Sequence, residues 1–291
     1  MRAESPKTEA VAHAIAQRAE NPKRIMNLLL PNKSILLFYL CERCLALRAA
    51  CQGARAMDGS TTLVERLKNL SSSVISDVLD VCGYPNQSLS SDIRPLDRKM
   101  RLAGAAICCA GQSEEQHQAA DAIAPAAAIS NYEIDRCIAP GGIVVIATNG
   151  HSTSAVVGGL MCLAFSRRSC GGLVTDGGVR DISEIVELQL PTFCRYATPL
   201  NSVRRWKLTG MGSTVRLAGQ ASAEVEIQPG DLVIGDADGV MIVPLSIAAD
   251  VIAWAERLAA IEATIVAQLE AGEPREAVFS ANPRFAHIGR L

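Results

Sequence analysis

Apolar positions along the chain recur with two periods, and these divide it into helical and extended stretches. From Thr61, the residues Leu63, Val64, Leu67 and Leu70, then Val74, Ile75, Val78 and Leu79, fall at helical spacing and give one apolar face; Gly83-Tyr84-Pro85-Asn86 stops it. Leu102 to Ala110 reads as a strand, and the Ala-rich stretch 118–129 as a helix. Pro140-Gly141-Gly142 then turns the chain into Ile143-Val144-Val145-Ile146-Ala147, a short continuous apolar run typical of a buried parallel strand, ended by Asn149-Gly150. Residues 152–168 are predicted as a helix, with Ser152 or Ser154 as N-cap and Val156, Val157, Leu160, Leu163 and Ala164 inward. Gly171 to Thr175 is the next strand, Asp176-Gly177-Gly178 a tight turn, and Ile182 to Leu190 a helix closed by Pro191.

Strand, helix, strand, turn and helix in that order predict a right-handed parallel crossover. Ligands of such units gather beyond the carboxyl ends of the strands, where both Gly-rich turns fall. The last third is mostly β. Ala223 to Ile227 alternates, Pro229-Gly230-Asp231 turns, and Asp238-Gly239 separates Leu232-Val233-Ile234 from Val240-Met241-Ile242-Val243, a strong hairpin signal. A long helix from about Ser246 to Glu270 carries Ile247, Val251, Trp254, Leu258, Ile261 and Ile265 on one stripe.

Composition narrows the function. The 291 residues are 49% hydrophobic and 20% charged, which fits a packed globular protein. Aromatics at 4% argue against a base-stacking platform, and a net charge of −2 gives no general pull toward nucleic acid. No apolar run approaches the roughly 20 residues that span a bilayer, so no membrane or nucleic-acid partner is expected. Among the ten cysteines, those inside apolar runs, such as Cys108, Cys109 and Cys162, read as buried free thiols. With no convincing signal peptide, a cytoplasmic location follows. Cys41-Glu42-Arg43-Cys44 has metal-knuckle spacing, but no second pair follows it. Residues 1–56 hold nine Lys/Arg against four Asp/Glu and read as helical stretches broken near Pro22 and Pro31. The organised pattern starts after Met57, so 1–57 is expected to be an extension without chemistry and 58–291 the functional domain.

Two segments carry candidate chemistry. In Asp176-Gly177-Gly178-Val179-Arg180-Asp181, with Glu184, glycines permit close backbone approach. A guanidinium at position 180 clamps a carboxylate, and an acid at 181 suits Mg²⁺ completed by waters. Together they match a 2-oxo acid whose enolate needs stabilising. The plain alternative is a surface Arg180–Glu184 helix pair, with Asp181 favouring its own helix dipole. In Gly158-Gly159-Leu160-Met161, two glycines inside a predicted helix are costly unless the helix begins there and offers its free N–H groups to an anion; close helix–sheet packing is the alternative.

Gly158-Gly159-Leu160-Met161, the run from Gly172 to Glu184, and Pro191-Thr192-Phe193 resemble the RraA-like family, as does Pro229 to Pro244 further on. The match covers roughly residues 60–275. The family includes 4-hydroxy-4-methyl-2-oxoglutarate aldolases that also decarboxylate oxaloacetate, and Gly159, Arg180-Asp181 and Glu184 fit its aldolase spacing. The resemblance implies a swivelling β/β/α three-layer α/β domain with a mixed sheet, assembled as homotrimers or homohexamers. It implies that amides of Gly158, Gly159, Leu160 and Met161 contact the substrate carboxylate, that Arg180 binds the pyruvate moiety, and that Asp181 holds Mg²⁺ or Mn²⁺ directly or through water. Many relatives carry an acid or amide where Gly159 stands. The same family includes a non-catalytic inhibitor that binds a ribonuclease, the rival reading.

The other candidates are weaker. Arg204-Arg205-Trp206-Lys207 reads as a solvated basic loop, His117 with Glu114 and Glu115 as an exposed polar turn, and His151 as a residue near the pocket. Glu256 and Glu262 read as solvent-facing or as reaching a neighbouring subunit.

Overall fold

The computed structural model describes residues 58–114 and 129–291. The extension 1–57, the Cys41/Cys44 pair, His117 and the bulk of the Ala-rich stretch lie outside the described residues.

In chain order the elements are α1 (Asp58–Leu67), α2 (Ser72–Cys82), β1 (Arg94–Pro95), β2 (Leu102–Ser113), α3 (Tyr132–Cys137), β3 (Ile143–Ala147), β4 (Ala155–Val157), α4 (Gly159–Ser166), β5 (Gly172–Thr175), β6 (Gly178–Val179), α5 (Ile182–Glu187), β7 (Thr192–Cys194), β8 (Tyr196–Ala197), β9 (Trp206–Met211), β10 (Val215–Ala218), β11 (Glu224–Ile227), β12 (Leu232–Gly235), β13 (Val240–Val243), α6 (Ala248–Glu270) and α7 (Arg275–Ala281). The first helical pattern is two helices. The Ser71 hydroxyl accepts the Val74 N–H and caps α2, and Gly83 ends it at φ 105°.

An eight-stranded mixed sheet runs β1-β7-β5-β3-β2-β12-β13, with β9 also on β2. The strands β2, β3, β5 and β7 are parallel neighbours, as the buried run at 143–147 requires. β2 is long enough to hold three partners. Its first residues pair with β12, its middle with β3, and its end with β9 across a register shift at Ala110/Gly111. The Asp238-Gly239 signal is the β12–β13 hairpin.

Alternation along the strands sets the layers. Val144, Ile146 and Leu173 pack with Ile134, Cys162, Phe165 and Ile185 from α3, α4 and α5. Ile143, Val145 and Val174 face the other way, against Val215, Leu217, Val225 and Ile227 of the β10–β11 hairpin. Hairpin, sheet and helices make the β/β/α stack. A second helical layer, α1, α2 and α6, covers Leu232, Ile234, Met241 and Val243 at the far end of the sheet. Acids of the 229–244 block are structural. Asp231 accepts the N–H groups of Gln228 and Leu245, and Asp236 accepts Ser72 N–H at 2.8 Å, tying α2 to the hairpin.

Several expectations change. The stretch 152–168 is a strand followed by a helix that starts at Gly159. Val156 and Val157 are inward, but Leu160 and Leu163 are exposed, and Cys162 and Phe165 take the buried side. The reason is geometric. β4 adds to a three-stranded parallel sheet with β6 and β8, so 155–157 is held extended and helical phase begins later. The basic stretch at 204–207 is not a loop throughout. Trp206 opens β9, its side chain buried against Gly111, and Leu208 is buried beyond it, a period of two that the flanking Arg and Lys obscured. Glu256 is paired to Arg66 through two hydrogen bonds of 2.8 and 2.7 Å, and Glu262 pairs with Arg284, so both brace helices within the chain.

Candidate active site

The two segments singled out from sequence meet. β4 and β6 are adjacent and parallel, so the turns that follow them lie side by side, and Arg180 N–H donates to Val157 O at 3.1 Å. Gly158 leaves β4 in extended conformation and caps α4. A Cβ placed on it would lie 2.9 Å from Asp181 Oδ2, 3.0 Å from Arg180 Nε and 3.1 Å from Arg180 Cγ. The arginine stem therefore crosses the space that any other side chain at 158 would fill.

Asp181 stands at φ 63°, ψ 44°, the left-handed region that costs a non-glycine residue on the order of 1 kcal/mol. That conformation turns its carboxylate away from its own helix α5, whose N-terminus it does not cap. Oδ2 instead accepts the N–H of Gly159, the first residue of α4, at 3.0 Å, with Arg180 Nε at 3.5 Å. The alternative, a surface Arg180–Glu184 pair, does not form; the guanidinium's neighbour is Asp181. Among the described residues, the terminal nitrogens of Arg180 make no hydrogen bond, and the N–H groups of Leu160 and Met161 have no acceptor. Gly158 and Gly159 thus differ from Leu160 and Met161. The first pair makes room for Arg180, Asp181 and Glu184, and the second presents free amides at a helix start.

Gly159 is buried, and the place its Cβ would take is filled by the end of Glu184 and by Asp181 Cβ. Two carboxylates therefore stand together at the amino end of α4. Among the described residues no cluster of three or more His, Cys, Asp and Glu is close enough to hold a metal. Mg²⁺ is commonly held by one or two carboxylates with waters completing the octahedron, and Asp181 with Glu184 fits that donor set. Asp181 Oδ1 carries no hydrogen bond among the described residues.

His151 is buried. Its Nδ1 is 2.8 Å from Ser113 Oγ and its Nε2 2.7 Å from Ser154 Oγ, and burial lowers its pKa. The expected thiols at Cys108, Cys109 and Cys162 are free and buried, as are Cys82, Cys170 and Cys194. Glu184 belongs to the motif by its spacing from Arg180, and only the fold shows it against Gly159.

The family model described as RraA-like (Aldolase/RraA) matches residues 72–242. The chain belongs to the RraA-like family. A protein of Halalkalibacterium halodurans named "Putative 4-hydroxy-4-methyl-2-oxoglutarate aldolase" is 33% identical over 182 residues, 62% of this chain and 76% of that protein. Protein DlpA of Legionella pneumophila is 29% identical over 213 residues, but the match takes in 32% of its length and 70% of this chain. Of solved structures, an uncharacterized protein from Pseudomonas syringae shares the fold at TM-score 0.64 and 24% identity, over 75% of this chain and 96% of that one. Streptomyces coelicolor RraAS2, described as an unusual member of the RNase ES inhibitor RraA protein family, matches at TM-score 0.58 and 25% identity, over 69% of this chain and 93% of that one. The described residues contain no helix long and apolar enough to cross a membrane.

Proposed function

We propose that the domain 58–291 is a divalent-metal-dependent carbon–carbon lyase. It would cleave 4-hydroxy-4-methyl-2-oxoglutarate-type 2-oxo acids to pyruvate and decarboxylate oxaloacetate. The observation that carries the reading is the convergence of Arg180, Asp181 and the open amides of Leu160 and Met161 on one face. Arg180 binds the 2-oxo acid end through its uncommitted terminal nitrogens, and the Leu160 and Met161 amides hold a carboxylate oxygen at the positive end of α4. Asp181, fixed by Gly159 N–H, would hold Mg²⁺ or Mn²⁺ with Glu184 beside it. When bound, the cation neutralises charge that builds on the 2-oxo oxygen. As the C3–C4 bond breaks, its electron pair passes to C3 and the pyruvate enolate forms. The 4-hydroxyl gives its proton to solvent water and becomes the carbonyl of the second product, and C3 of the enolate takes a proton back from solvent to complete pyruvate. Arg180 favours that charge because its guanidinium is in place beforehand and needs no reorganisation.

Leu160 at 79% exposure and Leu163 at 38%, beside the site, support a homotrimer or homohexamer in which a second subunit covers α4. A cytoplasmic location accords with the buried free thiols. The test is pyruvate release from 4-hydroxy-4-methyl-2-oxoglutarate and from oxaloacetate with Mg²⁺ or Mn²⁺. Arg180→Ala and Asp181→Ala should each abolish it, and wild-type turnover in either would end the proposal. The likeness to the Streptomyces protein keeps a regulator as the second reading; a stoichiometric ribonuclease complex together with absent lyase activity would replace the first.

A further inference from the structure

A cleft of about 570 Å³ opens at the carboxyl ends of the parallel strands β2, β3 and β5, and none of residues 158–161, Arg180, Asp181 or Glu184 lines it. Its floor is made by Gln112, Asn149 and Asp176, each at or just beyond a strand end, and its outer wall by the β10–β11 hairpin. In open parallel sheets this is where ligands bind, because strand ends leave loops and unpaired backbone facing a common space. The volume lies within the range of small-molecule sites.

Two groups in the cleft are incompletely used by the chain. Asp176 accepts Thr148 N–H on Oδ1 at 2.8 Å, and the Thr148 hydroxyl and the Asp176 N–H also lie near the carboxylate, whose lone pairs still leave room for a donor from outside. Burial pushes its carboxyl above the ordinary range, and a donor from a ligand would relieve that cost. Arg195 is anchored through its backbone, N–H to Gly177 O at 3.1 Å, so it is next to Asp176 across the 176–178 turn. Its guanidinium is half-exposed; among the described residues its ion pair is with Asp92 at 3.6 Å, beyond a close hydrogen bond, and its charge also acts on Asp176. Arg216, by contrast, is committed to Glu226 at 2.6 Å. Asn149 at φ 55° and Gly150 at φ 75° turn the chain back at the rim through a left-handed turn that both residue types adopt readily.

We infer that this cleft is a second ligand site, which takes a small carboxylic acid bearing a hydroxyl or ammonium group next to its carboxylate. Arg195 binds the carboxylate, and Asp176 Oδ2 receives the hydrogen bond of the neighbouring group. Asp92 swings off the guanidinium to solvent as the ligand enters. The cleft is separate from the proposed lyase site, so the inference stands whether or not the lyase reading does.

Isothermal titration calorimetry on the full chain tests it, with L-malate, L-aspartate and succinate as probes. The first two carry the donor as hydroxyl and ammonium, and succinate lacks it. Titrations on the Arg180→Ala variant keep the lyase site from reporting. The expected result is binding of L-malate or L-aspartate that exceeds succinate by at least about tenfold, the size of one charge-assisted hydrogen bond. Arg195→Gln should weaken it by about tenfold or more, and Asp176→Asn, which keeps the Thr148 acceptor, should erase the preference over succinate. No binding of any probe at about 10 mM, equal binding of succinate, or binding that Arg195→Gln leaves untouched overturns the inference.

Discussion

Gly158→Ala separates the catalytic reading from a structural one with a single methyl group. The backbone at 158 is extended, so alanine brings no φ penalty. Its Cβ would stand 2.9 Å from Asp181 Oδ2, closer than real Cβ contacts come, and 3.0 and 3.1 Å from Arg180 Nε and Cγ, tight enough that the arginine must give by a few tenths of an ångström. Both side chains are partly exposed, at 39% for Arg180 and 33% for Asp181, so they move rather than the backbone. The stability cost is then that of alanine at a helix N-cap, about 0.5–1 kcal/mol, or a melting temperature lower by about 1–4 °C. The functional cost is larger. Arg180 must withdraw by several tenths of an ångström or change rotamer, which loosens its 3.5 Å approach to Asp181 and misplaces the group that binds substrate. A displacement on the order of 1 Å at a positioning residue costs about 10²-fold in turnover. The assay is pyruvate release with Mg²⁺, read beside thermal melting. Near-normal turnover with near-normal melting would refute the argument, since it would mean that chemistry does not depend on where Arg180 and Asp181 stand.

Gly104→Ala drives a methyl group into the Gly141 carbonyl within the buried sheet and should destabilise the domain by about 1–3 kcal/mol in denaturant titration, with no rotamer able to relieve it. The hydrogen bonds from Arg66 hold the Glu256 carboxyl below the ordinary range, so the pair's contribution is present above the unfolded pKa and is lost as pH falls through the lower folded one. Because both partners are more than a third exposed, Glu256→Gln should cost at most about 0.5 kcal/mol at pH 7, a difference that vanishes in acid. Burial lowers the His151 pKa, so the unfolded chain binds the extra proton first; stability should fall as pH drops below about 6.5, and His151→Gln should flatten that slope in urea melts at a series of pH values. Burial pushes Cys108 and Cys162 up to about 12, so mass-mapped labelling with a thiol reagent should spare both until the domain is unfolded.

Much of the layering could be read from spacing. A continuous apolar run at 143–147 demanded cover on both faces, and the fold supplies helices on one and a hairpin on the other. The Asp238-Gly239 turn and the stripe of α6 were equally local, because turn chemistry and helical period are properties of a few neighbours. Failures came where a distant partner overrode local period. Residues 155–157 carry apolar side chains that suit either a helix or a strand, and only the edge offered by β6 selects the strand. Trp206 was hidden among charges, and its burial depends on Gly111, far away in sequence, leaving room for an indole.

The candidate site divides in the same way. Sequence alone determined that Arg180 and Asp181 follow a glycine turn and that Gly158-Gly159 open a polar opportunity in an apolar stretch, since both are facts of adjacency. Tertiary structure decided that the two stretches meet, that Asp181 serves the amino end of α4 in place of its own helix, and that Glu184 fills the space Gly159 leaves. The physical reason is that parallel pairing of β4 with β6 brings together segments some twenty residues apart, and no local propensity encodes which helix end a carboxylate will face.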